Sequence, residues 1–282
     1  MARYRGRSVS SVLPLKRRPS ESRSGQGGNR TSFEESFRIL RSNLDVSLTD
    51  IDKPILIVTS SKANEGKTVI CTKLATSFAE AGQRVVLVDL DLRHATAHRL
   101  LRVHNEFGVS DVLLGRRSLQ ESIQHVELRD PAGRNLSSLY FLATGPAVQN
   151  PTELLGSGRT ARLLDGLVKQ ADLVLLDTPP VLPVADTLVI GRIASGAILV
   201  VETRTTPLAA VQQSKDLLIR NQTRLLGVVM NKFQARDAQI AYGYYGYGYG
   251  ASSPAATAQD AGPMDEEPLA PARNGNGSSP DH

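Results

Sequence analysis

The chain has one cysteine and no tryptophan, and aromatic residues make up only 5% of its 282 positions. A single thiol, Cys71, cannot form a disulfide within the chain, which suits a reducing compartment. No apolar run approaches the ~18 residues of a membrane-spanning helix. The stretch from Val9 to Leu15 is too short and too polar for the core of a signal peptide. We therefore expect a cytoplasmic protein, with Cys71 as a small buried apolar residue.

Both ends of the chain have the composition of disordered segments. Residues 1–30 are rich in Arg, Ser and Gly, and Glu21 is their only acid, which predicts a disordered basic arm. This arm is either a solvated tail or a segment attracted to anionic lipid heads or another polyanion. Residues 251–282 are Ala, Pro, Gly, Ser and acidic residues, which predicts a disordered acidic tail. The folded domain is therefore expected within residues 31–240, and residues 241–250 form a separate Tyr/Gly tract.

A helix is predicted from Ser32 onward. Ser32 can cap it, and Glu35 lies at the position that a capping box requires. An apolar stripe at helical spacing follows, made of Phe33, Phe37, Leu40 and Leu44.

Apolar runs then alternate with helical patterns such as Ala209–Arg220, which predicts an α/β fold with a parallel sheet. The runs are continuously apolar, as expected for strands that are buried on both faces. The predicted strands are Ile55–Thr59, Val85–Asp89, Leu139–Leu142, Leu173–Leu176, Ala197–Val201 and Leu225–Met230.

A phosphate-binding loop is indicated by the segment Ser60–Thr68, which lies between a predicted strand and a predicted helix. Gly66 lets the backbone approach an anion, and the amides at the helix start point toward it. Lys67 can reach the β- and γ-phosphates, and the Thr68 hydroxyl can ligate Mg²⁺. The first glycine of the usual pattern is replaced by Ser61.

Two further predicted strands end in aspartate. Val85–Val88 leads to Asp89 and Asp91, and Leu173–Leu176 leads to Asp177. A carboxylate at the end of a buried strand is costly unless it is paired, solvated or bound to a metal. Beside a phosphate loop, Mg²⁺ is the natural partner, whereas ordinary helix capping is the competing explanation. Lysine, metal and carboxylate together indicate phosphoryl transfer, to water or to a protein hydroxyl.

At these residues the chain resembles the bacterial tyrosine kinases of capsule and exopolysaccharide synthesis, in the form where the kinase is a separate cytoplasmic protein. The resemblance covers roughly residues 32–250. The loop Ser60–Thr68 resembles the family's Walker A motif, although Asn64 stands where a small Gly or Ser is usual. Asp89-x-Asp91-x-Arg93 resembles the Walker A-prime motif, and the segment that begins at Asp177 resembles Walker B.

Three other features make the resemblance more specific. One is a helix motif through which these kinases assemble into rings, another is a segment between the two carboxylate motifs, and the third is a C-terminal cluster of tyrosines that become phosphorylated. In this chain they are Glu35, Arg38 and Arg41, then residues 150–155 (Asn-Pro-Thr-Glu-Leu-Leu), and Tyr242, Tyr244, Tyr245, Tyr247 and Tyr249.

The resemblance implies a P-loop NTPase fold of the MinD-like (SIMIBI) type, with a mostly parallel central sheet and helices on both faces. It implies an ATP- and Mg²⁺-dependent protein-tyrosine autokinase that phosphorylates its own tyrosine cluster in trans and regulates polysaccharide polymerisation and export. The implied partners are a transmembrane chain-length regulator of the Wzz or CapA type that recruits the kinase to the inner face of the plasma membrane, a tyrosine phosphatase, and other copies in a ring. No nucleic acid is expected.

The implied site residues fall into three sets. Lys67, Asp89, Asp91 and Asp177 are the catalytic set, in which Asp89 accepts or orients the proton of the attacking hydroxyl. Thr68, Asp91 and Asp177 surround the metal, directly or through water. The nucleotide contacts are Ser61, Lys62, Ala63, Asn64, Glu65, Gly66, Lys67, Thr68, Val69 and Asn231.

Two alternatives share the fold. A ParA- or MinD-type positioning ATPase has the same nucleotide motifs and uses water as nucleophile, and Lys62 occupies the place of the extra lysine of that class. An inactive scaffold protein with a kinase-like fold is the other. The Glu35/Arg38/Arg41 helix and the tyrosine cluster disfavour the first, and the intact catalytic residues disfavour the second.

Overall fold

The computed structural model of the chain describes residues 28–129 and 133–233. The strands within these residues are β1 (Ile55–Ser60), β2 (Val85–Asp89), β3 (Gln124–Arg129), β4 (Asn135–Leu142), β5 (Leu173–Asp177), β6 (Gly196–Glu202) and β7 (Leu225–Asn231). The helices are α1 (Gly28–Ser47), α2 (Lys67–Glu80), α3 (Ala97–Leu101), α4 (Val109–Leu113), α5 (Leu119–Ser122), α6 (Pro151–Leu155), α7 (Gly158–Val168), α8 (Asp186–Gly191) and α9 (Leu208–Arg220).

The strands form one sheet in the order β3-β4-β2-β5-β1-β6-β7. All neighbouring pairs are parallel except β3 and β4, which are antiparallel. The six strands predicted from apolar runs are confirmed, although β4 begins at Asn135 rather than Leu139. Strand β3 was missed because it lies at the sheet edge and carries polar residues such as His125 and Glu127 among its apolar ones.

Helices cover both faces of the sheet, as predicted. On one face, α2 packs over the central strands through Leu74 and Phe78, and Phe37 of α1 joins the same cluster. On the other face, a second cluster contains apolar residues of α4, α7 and α8, among them Leu113 and Leu164. The central strands β1, β2 and β5 are buried along almost their whole length, because both faces are covered.

Helix α1 begins at Gly28, so the predicted cap at Ser32 is wrong. Ser32 lies inside the helix because no residue between positions 28 and 32 breaks it, and a Ser-x-x-Glu pattern also occurs within helices. The predicted apolar stripe is partly confirmed. Phe37 and Leu44 are buried and Leu40 is partly buried, whereas Phe33 remains 45% exposed.

Among the helices of the described residues, none combines the length and the hydropathy needed to cross a lipid bilayer. The predicted acidic tail, the tyrosine tract and nearly all of the basic arm lie outside the described residues.

Candidate active site

The candidate site lies at the carboxyl ends of three neighbouring strands. β5 lies between β1 and β2, and its last residue, Asp177, pairs in register with Asp89 on one side and Val58 on the other. The loop after β1 therefore faces the two carboxylate segments, because parallel strands bring their carboxyl ends to the same edge of the sheet. The fold brings together motifs that span more than 100 positions of the sequence, from the loop 60–68 to Asp177.

The loop between β1 and α2 turns through two left-handed residues. Asn64 has φ 66° and Gly66 has φ 93°, a region that disfavours most side chains. A Cβ atom on Gly66 would lie 2.1 Å from Nδ2 of Asn231, so the space also excludes a side chain. Gly66 is therefore required twice, by its backbone conformation and by the close approach of β7.

The loop is held by its own side chains and by two distant segments. The Glu65 carboxylate accepts hydrogen bonds from the backbone N–H of Lys62 (2.9 Å) and from the Thr206 hydroxyl. Ser61 is buried and its hydroxyl accepts a hydrogen bond from Ser214 in α9 (2.9 Å). Ser61 and Glu65 thus hold the loop against α9 and the segment that contains Thr206, a role that the sequence did not indicate.

The other predicted nucleotide contacts differ in their surroundings. Lys62, Ala63, Asn64 and Val69 are exposed around the loop. Asn231 instead donates from Nδ2 to the Glu65 carbonyl (2.8 Å), so its amide contacts the loop itself.

Lys67 is buried among the predicted catalytic carboxylates. Its Nζ lies 2.8 Å from Asp91 Oδ2, 3.8 Å from Asp177 Oδ1 and 3.4 Å from the Thr68 hydroxyl. Burial alone would lower the pKa of Lys67, but the charges of Asp177 and Asp91 outweigh it and raise the pKa above its ordinary value. Lys67 therefore remains a cation with its charge directed into the site.

Asp177 is fully buried, and neither of its carboxylate oxygens accepts a hydrogen bond within the described residues. Burial raises the pKa of Asp177 to about 6, although Lys67 opposes the rise. The Lys67 ammonium, 3.8 Å from Asp177 Oδ1, offsets only part of the cost of burying this carboxylate, and a second cation on the loop side would reduce the remainder. The orphaned oxygens of Asp177, with the Thr68 hydroxyl nearby, therefore fit Mg²⁺.

The described part of the chain does not supply a complete metal cage. Among the described residues, no group of three or more His, Cys, Asp or Glu side chains could hold a metal ion. Mg²⁺ typically takes one or two carboxylates and completes its shell with phosphate oxygens and water.

Asp89 is surrounded by backbone amides. Its carboxylate accepts hydrogen bonds from the N–H groups of Asp91 (3.2 Å), Thr96 (3.3 Å) and Ala97 (3.2 Å), and the side chain has no exposed surface. Burial and the nearby Asp177 raise the pKa of Asp89 well above its ordinary value. Through these hydrogen bonds Asp89 fixes the backbone of the segment 91–97. Its role as a base stays a prediction.

Arg93 is held by a network that the sequence did not reveal. Its guanidinium pairs with the fully buried Asp186 at the start of α8 (Nε to Oδ2 2.8 Å) and donates to the Thr152 hydroxyl (3.0 Å). Thr152 also donates to Asp186. This network joins the A-prime segment to the Asn-Pro-Thr-Glu-Leu-Leu segment. Asp186 carried no local signal, because it follows an irregular stretch after Walker B.

The three predicted assembly residues of α1 separate into two groups. Glu35 and Arg38 form an exposed ion pair at 3.0 Å, with side chains 55% and 59% exposed. Arg41 instead donates to the backbone carbonyl of Ser77 in α2 (2.6 Å), so it fastens α1 to its own domain.

Cys71, in helix α2, is buried as predicted, and burial raises the pKa of its thiol well above the ordinary value.

Comparison with known protein families agrees with this geometry. Residues 56–243 match the family model described as "CobQ/CobB/MinD/ParA nucleotide binding domain". The chain is 33% identical over 212 residues to the tyrosine-protein kinase YwqD of Bacillus subtilis, covering 75% of this chain and 86% of the relative. It is 29% identical to the putative tyrosine-protein kinase CapB of Staphylococcus aureus, covering 77% and 92%. It is also 31% identical to the tyrosine-protein kinase wzc of Salmonella typhimurium. That match includes 80% of this chain but only 31% of the longer relative.

Solved structures that resemble this chain also include tyrosine kinase domains. The kinase domain of Escherichia coli tyrosine kinase ETK superposes with a TM-score of 0.67 at 28% identity, over 85% of this chain and 93% of that one. The chimerical protein CapA2B2 superposes with a TM-score of 0.65 at 31% identity, over 74% and 88%. The septum site-determining protein MinD of Pyrococcus horikoshii, solved with Mg-ADP, shares the fold with a TM-score of 0.52 at 22% identity, over 67% and 76%.

Proposed function

This chain belongs to the bacterial tyrosine-protein kinases, and we propose that it transfers the γ-phosphate of ATP to tyrosines of its own C-terminal cluster in trans. The observation that carries the proposal is the buried group formed by Lys67, Asp91 and Asp177 beside a loop with left-handed residues. The proposed acceptors are Tyr242, Tyr244, Tyr245, Tyr247 and Tyr249, whose glycine neighbours let several hydroxyls reach one site in turn.

The proposed chemistry depends on positioned charge. Lys67 contacts the phosphates, and the N–H groups of the loop and of the start of α2 donate to their oxygens. Thr68, Asp91 and Asp177 would hold Mg²⁺, which supplies positive charge to the phosphate oxygens as the transferred group leaves. Asp89 orients or accepts the proton of the attacking tyrosine hydroxyl. Asp91 pairs with Lys67 in this structure and offsets its burial.

We further propose that the kinase domain spans residues 31–240, preceded by the basic arm 1–30 and followed by the acceptor tract 241–250 and the acidic tail 251–282. We propose that it acts in capsule or exopolysaccharide polymerisation and export. It would work as a ring of copies at the inner face of the plasma membrane, with a transmembrane chain-length regulator as activator and a tyrosine phosphatase as its opponent. The ring contact would use Glu35 and Arg38, the exposed ion pair of α1.

The test is to incubate the purified chain with Mg-ATP and to detect phosphotyrosine, with Lys67→Met as the inactive control. We expect modification of the C-terminal cluster in the wild type and none in the variant. We also expect a large increase when the cytoplasmic segment of the membrane regulator is added. ADP release without phosphotyrosine, with and without that segment, would instead support the positioning ATPase.

A further inference from the structure

The last residue of β7 and the residue after it hold two consecutive carbonyl groups of the phosphate loop. Asn231 donates from Nδ2 to the Glu65 carbonyl at 2.8 Å. Lys232 donates from Nζ to the Asn64 carbonyl at 3.0 Å. Two adjacent peptide groups of the loop are therefore turned toward β7.

The orientation of these carbonyls determines where the adjacent N–H groups point. A trans peptide group is planar, so its N–H points opposite to its C=O. With the carbonyls of Asn64 and Glu65 directed toward β7, the N–H groups of Glu65 and Gly66 are directed away from it. Neither N–H donates to any group within the described residues. Consecutive free N–H groups in such a turn form a concave site for an anion.

Lys232 is itself held in place for this contact. Its Nζ forms an ion pair with Glu202 at the end of β6 (2.8 Å), which fixes the ammonium beside the loop. Its backbone has φ 58°, a left-handed conformation that is strained for a non-glycine residue. Strained backbone of this kind is concentrated at functional positions.

We propose that Lys232 is a positioning residue for nucleotide binding. By holding the Asn64 carbonyl, it keeps the N–H of Glu65 directed at the phosphates of a nucleoside di- or triphosphate, while Asn231 does the same for Gly66. This inference rests on the nucleotide-binding part of the proposed function. Lys232 acts through the loop, so its effect exists before any nucleotide binds.

If Lys232 only stabilised the fold, its removal would lower the thermal unfolding temperature together with nucleotide affinity, whereas a positioning role changes the affinity alone. Its side chain is 48% exposed, and an exposed ion pair contributes little to the free energy of unfolding. Loss of the Lys232 ammonium should therefore leave the thermal unfolding temperature nearly unchanged while it weakens nucleotide binding.

The experiment measures Mg-ADP binding by calorimetry and, without nucleotide, the amide NMR signals of Glu65 and Gly66 in the full chain. For Lys232→Met we expect binding that is about five- to tenfold weaker, from the loss of one charge-assisted hydrogen bond. We also expect a shifted Glu65 amide signal and a higher KM for ATP with kcat little changed. Lys232→Arg, which keeps a charged donor, should bind Mg-ADP more tightly than Lys232→Met.

Two comparisons make the result decisive. Lys215→Met removes an exposed lysine of α9, and it should match the wild type in every measurement. Glu202→Gln frees the Lys232 ammonium without removing it and should weaken binding by a smaller factor, which also tests the inference if Lys232→Met does not fold. Unchanged affinity and unchanged amide signals in the Lys232 and Glu202 variants would overturn the inference, whereas a wild type that binds no nucleotide would overturn the proposed function instead.

Discussion

Individual residues of the site differ in how far the sequence could predict them. Lys67 was identified from the Gly-Lys-Thr loop that follows a predicted strand. Asp91 and Asp177 were identified because they lie at or just after the end of a buried strand, and parallel strands bring their ends together. The supports of the loop, such as Thr206 and Lys232, were not identified. They come from elements more than 140 residues away, and no local pattern marks a residue whose task is to hold a distant carbonyl.

The requirement for glycine at position 66 can be separated into its two causes. Gly82 has nearly the same φ (91°), but none of the residues that the structure describes lies within 4 Å of a Cβ placed on it. Gly82→Ala should therefore cost only the strain of the left-handed backbone, about 1 kcal/mol of unfolding free energy. Gly66→Ala should cost that strain and the hydrogen bond from Asn231 to Glu65, a further ~1 kcal/mol, together with most of the nucleotide affinity.

Urea titration and Mg-ADP binding of the two variants measure the difference. In a double-mutant cycle, Gly66→Ala and Asn231→Ala should be non-additive, because the second change removes the atom with which the first collides. Equal costs for Gly66→Ala and Gly82→Ala, with full nucleotide binding in both, would show that the approach of Asn231 has no effect.

At the scale of elements, the apolar strands were predicted well, whereas the edge strand β3 and the start of helix α1 were not. Strands β2 and β5 are continuous apolar runs with both faces covered, so their pattern is unambiguous. Strand β3 is an edge strand whose half-exposed pattern is weak, and α1 extends beyond the apparent cap at Ser32. Where packing does not decide the residue type, local patterns carry less information.

Helix α1 should respond differently to two charge reversals. Arg41→Glu should destabilise the domain by about 1–2 kcal/mol, because the Ser77 carbonyl loses its donor and α1 loses an attachment to α2. Arg38→Glu should leave the unfolding free energy nearly unchanged, since exposed pairs contribute little. If the ring uses this exposed surface, Arg38→Glu should nevertheless reduce the oligomer mass.

Light scattering at micromolar protein with Mg-ATP, paired with urea titration, distinguishes these effects. A wild-type mass for Arg38→Glu would leave the Glu35–Arg38 pair with no role beyond the helix itself.

At the scale of the whole molecule, the sequence predicted the fold class and its layers. The alternation of apolar runs with helical segments required a mostly parallel sheet with helices on both faces, and the topology confirms it. What the sequence left open is the order of the strands in the sheet, because β3 was unrecognised and strand order depends on connections rather than on composition.

Phosphorylation should reverse the sign of the molecule's charge. The chain carries a formal net charge of +5 at pH 7. Five phosphotyrosines add roughly −7 to −10, so the fully modified chain would carry about −2 to −5. Copies that are each negatively charged near the same tract should repel one another and loosen a ring, more strongly at low salt.

Isoelectric focusing before and after incubation with ATP should show the shift, and mass spectrometry should assign it to the C-terminal cluster. A variant with all five tyrosines changed to phenylalanine should keep its original charge and its assembly. Phosphate on Tyr4 or Tyr140 alone would contradict both the acceptor assignment and the proposed effect on the ring.

Because the end of β7 holds the phosphate loop, the loop is translated well before the residues that orient it. Asn64 and Lys232 are separated by 168 positions, and the ribosome makes the loop first. At about 5–20 residues per second, the residues that orient the loop follow it by roughly 10 to 30 seconds. During that interval the nascent chain has its Gly-Lys-Thr sequence but lacks the strand that positions it. Its nucleotide site is therefore complete only when nearly the whole domain has been translated.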